Sequence, residues 1–170
     1  MTPWKGATMS HLDRRDFLRS SVMLGAGAAA LGRVPRLAAR PRAPAGIPII
    51  VTSHHNETGQ EAARQAWEIL SAGGTALDAV ERGANVIEAD PEDTSVGYGG
   101  LPNADGVVQL DASIMDGRTY SAGSVASLER IKHPSSVARL VMERTDHVML
   151  VGPGALAFAK SFGFQEEDLL

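Results

Sequence analysis

The chain contains no cysteine, which excludes disulfides, thiolate metal sites and a cysteine nucleophile. Its five histidines are His11, His54, His55, His133 and His147. No two of them have the i, i+4 spacing of a helical zinc site, so no metal site is expected. His54 and His55 are adjacent and would point to opposite faces of an extended chain. There is no G-x-S-x-G elbow, and no serine or threonine has a His/Asp partner at a familiar spacing. Basic charge is scarce after residue 45: residues 46–170 carry a net charge of −10, against +6 for residues 1–45. An acidic body argues against nucleic acid as a partner, because phosphate binding needs clustered Lys and Arg.

A membrane-spanning run is missing as well. Ser20 to Gly32 is thirteen residues without a charge, short of the ~20 apolar residues that cross a bilayer as a helix. Behind Arg14-Arg15-Asp16-Phe17-Leu18-Arg19 it fits a cleavable export signal: positive flank, short apolar core, then small residues. Ala43-Pro44-Ala45 and Leu37-Ala38-Ala39 compete as the cleavage point. The paired arginines resemble the twin-arginine signal, which exports folded proteins. Residues 1–45 are therefore expected to be signal and linker, 46–170 the folded part, and the destination periplasmic or secreted. No membrane contact is expected once the signal is removed. Gly25-Ala26-Gly27-Ala28-Ala29-Ala30 matches G-x-G-x-x-A, a motif that works between a strand and a helix, but an Arg-rich stretch precedes it and Pro-rich sequence follows, so a dinucleotide site is not expected.

In the acidic part, Ile47 to Thr52 reads as a short buried strand. Glu61 to Leu70 has a helical apolar face, with Ala62, Ala66 and Ile69 beside Ala63, Trp67 and Leu70, and Gly73-Gly74 ends it. A second helix opens at Thr75 with Asp78 as capping partner and Leu77, Val80, Ala84 and Ile87 as its buried stripe. Asp90-Pro91 stops it. A glycine loop, Gly97 to Gly100, follows; its plainer reading is a tight turn at a sheet end, its functional one a close approach of backbone to a ligand. Val107 to Asp111 alternates as a strand, Asp116-Gly117 signals a hairpin turn, and Tyr120 to Leu128 continues the sheet. Ser135 is the expected cap of a helix carrying Val137, Leu140 and Val141. His147 to Gly152 reads as a buried strand and Ala155 to Phe162 as a last helix. The order is β-α-α-β-β-α-β-α.

Several motifs in this order resemble those of the glycosylasparaginases. They are Ser95-Val96-Gly97-Tyr98-Gly99-Gly100-x-Pro102, Gly106-x-Val108-x-Leu110-Asp111-Ala112-x-Ile114-Met115-Asp116-Gly117, Gly123 to Ala126, Ser136 to Glu143 and His147 to Gly152. The resemblance runs from about Pro48 to Leu170 and implies an N-terminal-nucleophile hydrolase of four-layer αββα fold. It implies cleavage of the bond between N-acetylglucosamine and asparagine, with a self-cleaved threonine as nucleophile and its own amine as base. That threonine is expected beyond Leu170, so the chain is expected to hold the α half only, with no catalytic residue of its own. The implied partners are a downstream β half, a small-molecule substrate and further αβ units in a homo-oligomer; no cofactor is implied. Asp93-Thr94 lies inside the glycine-loop motif and is not expected to be the processing site. Ser95 and Gly99 match the loop near the nucleophile, and His54 stands where many relatives have a substrate-lining tryptophan. The plant-type asparaginase and isoaspartyl peptidase branch, with Ile-His-Gly-Gly-Ala-Gly after its first strand, is an alternative. A non-catalytic exported binding domain is another.

The guanidinium fork of each signal arginine cannot be reproduced by lysine. The double change Arg14→Lys, Arg15→Lys is therefore expected to leave the unprocessed protein in the cytoplasm, which cell fractionation reads directly.

Overall fold

The computed structural model describes residues 47–169. The signal segment, His11 and Leu170 lie outside the described residues. The order from the amino end is α1 (Glu57–Ser71), α2 (Ala76–Glu88), a 3-10 turn (Gly97–Gly99), β1 (Gln109–Asp116), β2 (Ser121–Glu129), α3 (Pro134–Arg144), β3 (Met149–Val151) and α4 (Gly152–Ser161). The protein is thus α/β with a small mixed sheet. Strand order is β1-β2-β3, the first pair antiparallel and the second parallel.

The expected first strand does not form. Ile47 to Thr52 has no strand alongside it among the described residues, so its backbone has no ladder to join. Ile47, Ile49 and Val51 are 86%, 79% and 88% exposed, and Ile50 turns partly inward. The alternation of a strand is present in the sequence without its pairing.

Helix α1 starts four residues before the expected Glu61, because Asn56 caps it: its side chain accepts from Gly59 N at 2.9 Å. Ala62 and Ala66 are buried, while Trp67 is 46% exposed and leaves the face assigned to it. Helix α2 has the expected capping box between Thr75 and Asp78. Its buried face is rotated from the expected one: Ala79, Ile87 and Glu88 are buried and Val80 is 60% exposed. The cause is the crossing with α1, where small residues meet. A Cβ on Gly83 would lie 3.3 Å from the Ala62 carbonyl oxygen, so backbones rather than long side chains form the contact.

The hairpin forms as expected, with a longer loop. Tyr120 N donates to Asp116 O at 2.8 Å, and Tyr120 sits at φ 59° in the turn, not in the strand. A bulge between Leu110 and Ala112 lets Asp111 accept from Ser127 N at 2.7 Å. Strand β1 buries Leu110 and Ile114, half-buries Ala112 against the same core and exposes Asp111 and Ser113. Helices α3 and α4 pack on the sheet, and the core of Ile114, Val125, Leu128, Ile131, Val137, Ala138, Val141, Ala155 and Ala159 lies in that layer. Strand β3, expected to be buried, is a short edge with Met149 and Val151 each 54% exposed. The last residues return to the hairpin: Glu167 N donates to Arg130 O at 2.8 Å, and Leu169 buries against Val108 and Leu110.

Ser135 is not the cap of α3. The N-cap is His133, without a capping side-chain bond. The partner comes instead from α2: Glu88, 3% exposed, accepts from Ser135 N at 2.9 Å, from Asn85 Nδ2 at 2.9 Å and from His133 Nδ1 at 3.2 Å. Acidic charge beside a helix N-terminus is stabilising. Farther along, Arg139 of α3 reaches Asp78 and Glu81 of α2 at 2.7 and 2.6 Å, and its own Glu143 at 2.8 Å.

Removing Glu88 would leave the buried Ser135 amide without its acceptor, at ~1–3 kcal/mol, and would take one partner each from Asn85 and His133. Glu88→Ala is expected to cost about 3 kcal/mol or more, read as a lower urea midpoint. Glu88→Gln, which keeps the shape and one acceptor oxygen, is expected to cost less.

Candidate active site

The loop between α2 and β1 carries two of the three expected site residues, and the segment before α1 carries the third. Asp93 starts an Asx turn: Ser95 N donates to Asp93 Oδ1 at 2.9 Å, and Ser95 Oγ donates to the same oxygen. The other carboxylate oxygen faces His54, whose Nε2 lies 3.1 Å from Asp93 Oδ2 and 3.4 Å from Ser95 Oγ. The Asp93 side chain is only 7% exposed and that of His54 27%. The structure therefore brings His54 and Ser95 together around a residue that sequence reasoning missed. The available signal was the Asp-x-Ser spacing of an Asx turn at Asp93-Thr94-Ser95.

Glycines set this geometry. A Cβ on Gly59 of α1 would lie 2.2 Å from the His54 carbonyl oxygen, so the His54 segment passes α1 where a glycine leaves room for it. Gly97 has φ +72°, and a Cβ on it would lie 2.1 Å from the Glu88 carbonyl oxygen. Gly99 packs on backbone too: a Cβ on it would lie 2.5 Å from both the Pro91 and Asp93 carbonyl oxygens. Its contact is with the loop that holds Asp93. Thr58 Oγ1 adds a 2.5 Å bond to Asp90 Oδ2, fastening α1 to the start of that loop.

Two clefts meet at His54. One of about 300 Å³ is lined by Ser53, His54, His55, Asn56 and Ser95. The other, of about 450 Å³ and largely apolar, runs between Ile49–His54 and the faces of α1 and α2, with Glu88 and Val96 in its wall. Burial pushes the Asp93 carboxyl up, but the bonds from Ser95 and the charge of the His54 ring outweigh it and hold the group below the usual carboxylate range. A depressed folded-state pKa contributes stability above about pH 4, lost as the pH falls through the folded value.

A Ser, a His and an Asp within reach invite comparison with a hydrolytic triad. That arrangement needs the serine on one ring nitrogen and the aspartate on the other. Here both sit on Nε2, and the serine proton goes to the aspartate. Ser95 is therefore held as a polarised hydroxyl and is not poised as a nucleophile. Among the described residues no three His, Asp or Glu side chains are grouped so as to hold a metal ion, and no helix is long and apolar enough to cross a membrane.

Residues 50–170 match the family described as Asparaginase. The chain belongs to the asparaginase family. It is 49% identical over 173 aligned residues to the N(4)-(Beta-N-acetylglucosaminyl)-L-asparaginase of Elizabethkingia miricola, an alignment covering 98% of this chain and 48% of that protein. It is 46% identical over 123 residues to the N(4)-(beta-N-acetylglucosaminyl)-L-asparaginase of Mus musculus, covering 72% of this chain and 35% of that one. The plant-type L-asparaginase of Pyrococcus abyssi is 49% identical over 109 residues, covering 64% and 35%. The chain thus spans about half, or less, of the length of these curated relatives.

The tight crossing at Gly59 makes a sharp comparison possible. Gly59→Ala is expected to cost roughly 1–3 kcal/mol by overpacking. Gly154→Ala, where an added Cβ meets nothing within 4 Å in helix α4, is expected to stabilise by ~0.4–1 kcal/mol. Thermal melts of both variants beside the parent read the difference.

Proposed function

We propose that this chain is the first half of an amide hydrolase that cleaves the bond between N-acetylglucosamine and asparagine, releasing aspartate and an aminosugar. The observation that carries the reading is the extent of the likeness. Similarity to the Elizabethkingia miricola protein takes in 98% of the chain, whereas that to the plant-type asparaginase takes in 64%.

The proposed fold is the four-layer αββα sandwich. A sheet with α3 and α4 against it, and Met115 of β1 59% exposed, supports this, since such a face is where a second sheet would lie. The nucleophilic threonine belongs to the part of the relatives' length that these 170 residues do not span. Its hydroxyl would attack the amide carbonyl, its own amine would take the proton and pass it to the departing glycosylamine, and water would release aspartate from the ester. In this reading His54 and Ser95 face the substrate end of the cleft, and Gly99 keeps the loop close. The mature protein would act outside the inner membrane as a homo-oligomer of self-cleaved αβ units. Arg14 to Gly32 supports the export part of the proposal.

The complete gene product is expected to release aspartate from glycosylasparagine faster than from a β-aspartyl dipeptide, and the 170-residue chain alone is expected to release it from neither. Faster turnover of the dipeptide would favour the plant-type reading. No turnover of either by the complete product would favour a binding domain.

A further inference from the structure

The site holds a pair whose effect falls on a third group. Asp93 Oδ2 can only accept, so the ring nitrogen 3.1 Å from it, His54 Nε2, carries a hydrogen. Ser95 Oγ donates its own proton to Asp93 Oδ1. Its two lone pairs remain, one of them directed at His54 Nε2 at 3.4 Å. The second is left for the cleft lined by Ser53, His54, His55, Asn56 and Ser95. A free serine hydroxyl rotates and can give or accept. This one has its proton committed and can only accept.

We propose that His54 and Asp93 are positioning residues that lock the Ser95 hydroxyl as an acceptor, so that this end of the cleft selects an N–H donor, an ammonium or an amide, and discriminates against a carboxylate or carbonyl oxygen. The inference rests on the hydrolase reading above for its substrate but not for its geometry. The other charged or titratable side chains nearby are His55, which lines the smaller cleft, and Glu88, which lines the larger one. Thr52 Oγ1 accepts from His54 N at 3.2 Å and fixes the local backbone.

The test uses the complete gene product in two arms. In the first, KM and kcat for glycosylasparagine are measured for His54→Ala, His54→Gln, Ser95→Ala and the double change His54→Ala, Ser95→Ala. His54→Ala is expected to raise KM about tenfold with little change in kcat, and His54→Gln, whose amide can still donate, to recover part of that. The double variant is expected to be little worse than Ser95→Ala, because both changes remove one device. Multiplying effects, or equal losses in His54→Ala and His54→Gln, would overturn the proposal. In the second arm, long-range ¹H–¹⁵N spectra of His54 should show a protonated Nε2 in the parent and loss of that preference in Asp93→Asn. An unprotonated Nε2 in the parent overturns the proposal whatever the kinetics. If the parent hydrolyses no β-aspartyl amide, the activity reading fails, and the spectrum still decides the pair.

Discussion

Glu88 is the point on which the arrangement of α2, α3 and the glycine loop depends. It is the last residue of α2, it supplies the acceptor for the amide of Ser135 at the start of α3, and its backbone lies where only a glycine at position 97 can pass. A buried carboxyl group is costly unless its oxygens are occupied. Here Asn85, His133 and Ser135 occupy them, so the cost is met by contacts that also fix where α3 begins. Arg139 closes the same two helices two turns away through Asp78 and Glu81. The Asp78 carboxyl is lowered to about 2 by its bonds to Thr75 and Arg139. Capping and helix pairing are thus served by one group.

The site inherits its precision from that frame. The loop bearing Asp93 and Ser95 leaves α2 directly after Glu88, crosses Gly97 and packs through Gly99 on Pro91 and Asp93. It has no regular element of its own until the 3-10 turn. Its shape comes from side chains bonding to nearby backbone, as Asp90 does to Glu92 N at 2.9 Å and Asp93 to Ser95 N. His54 enters from a different segment and is held by the close pass at Gly59.

Much of the fold was legible in the sequence because it is local. The Thr75 and Asp78 capping box, the hairpin at Asp116-Gly117 and the helical period of α3 each need only a few neighbouring residues. What was not legible is set at long range. Ile47 to Thr52 has the composition of a buried strand, but a strand exists only beside a partner, and none is described. Trp67 and Val80 lie on the apolar faces by period and are exposed because α1 and α2 meet through Ala62, Ala66, Ala79 and Gly83 instead. Ser135 is a good cap by type, but Glu88 arrives from forty-seven residues away to take its amide. Of the candidate site residues, His54 and Ser95 were found by their places in family motifs. Asp93, which joins them, was passed over because an Asx turn reads first as a loop.

A histidine at position 54 changes what the cleft wall can do. An aromatic ring would offer area and a π face, and would place no demand on Asp93, whose buried carboxyl would then lose the ionisable neighbour it has in His54. With histidine there, the carboxylate is bound on both oxygens: Ser95 takes one, the ring the other. A charge-assisted hydrogen bond is stronger than a neutral one, so Asp93 is better satisfied by this pair than by solvent reaching its 7% exposed side chain. The consequence reaches the hydroxyl between them. Ser95 is the exposed member of the three, and its orientation is dictated from beneath, by groups a ligand in the cleft would not need to touch.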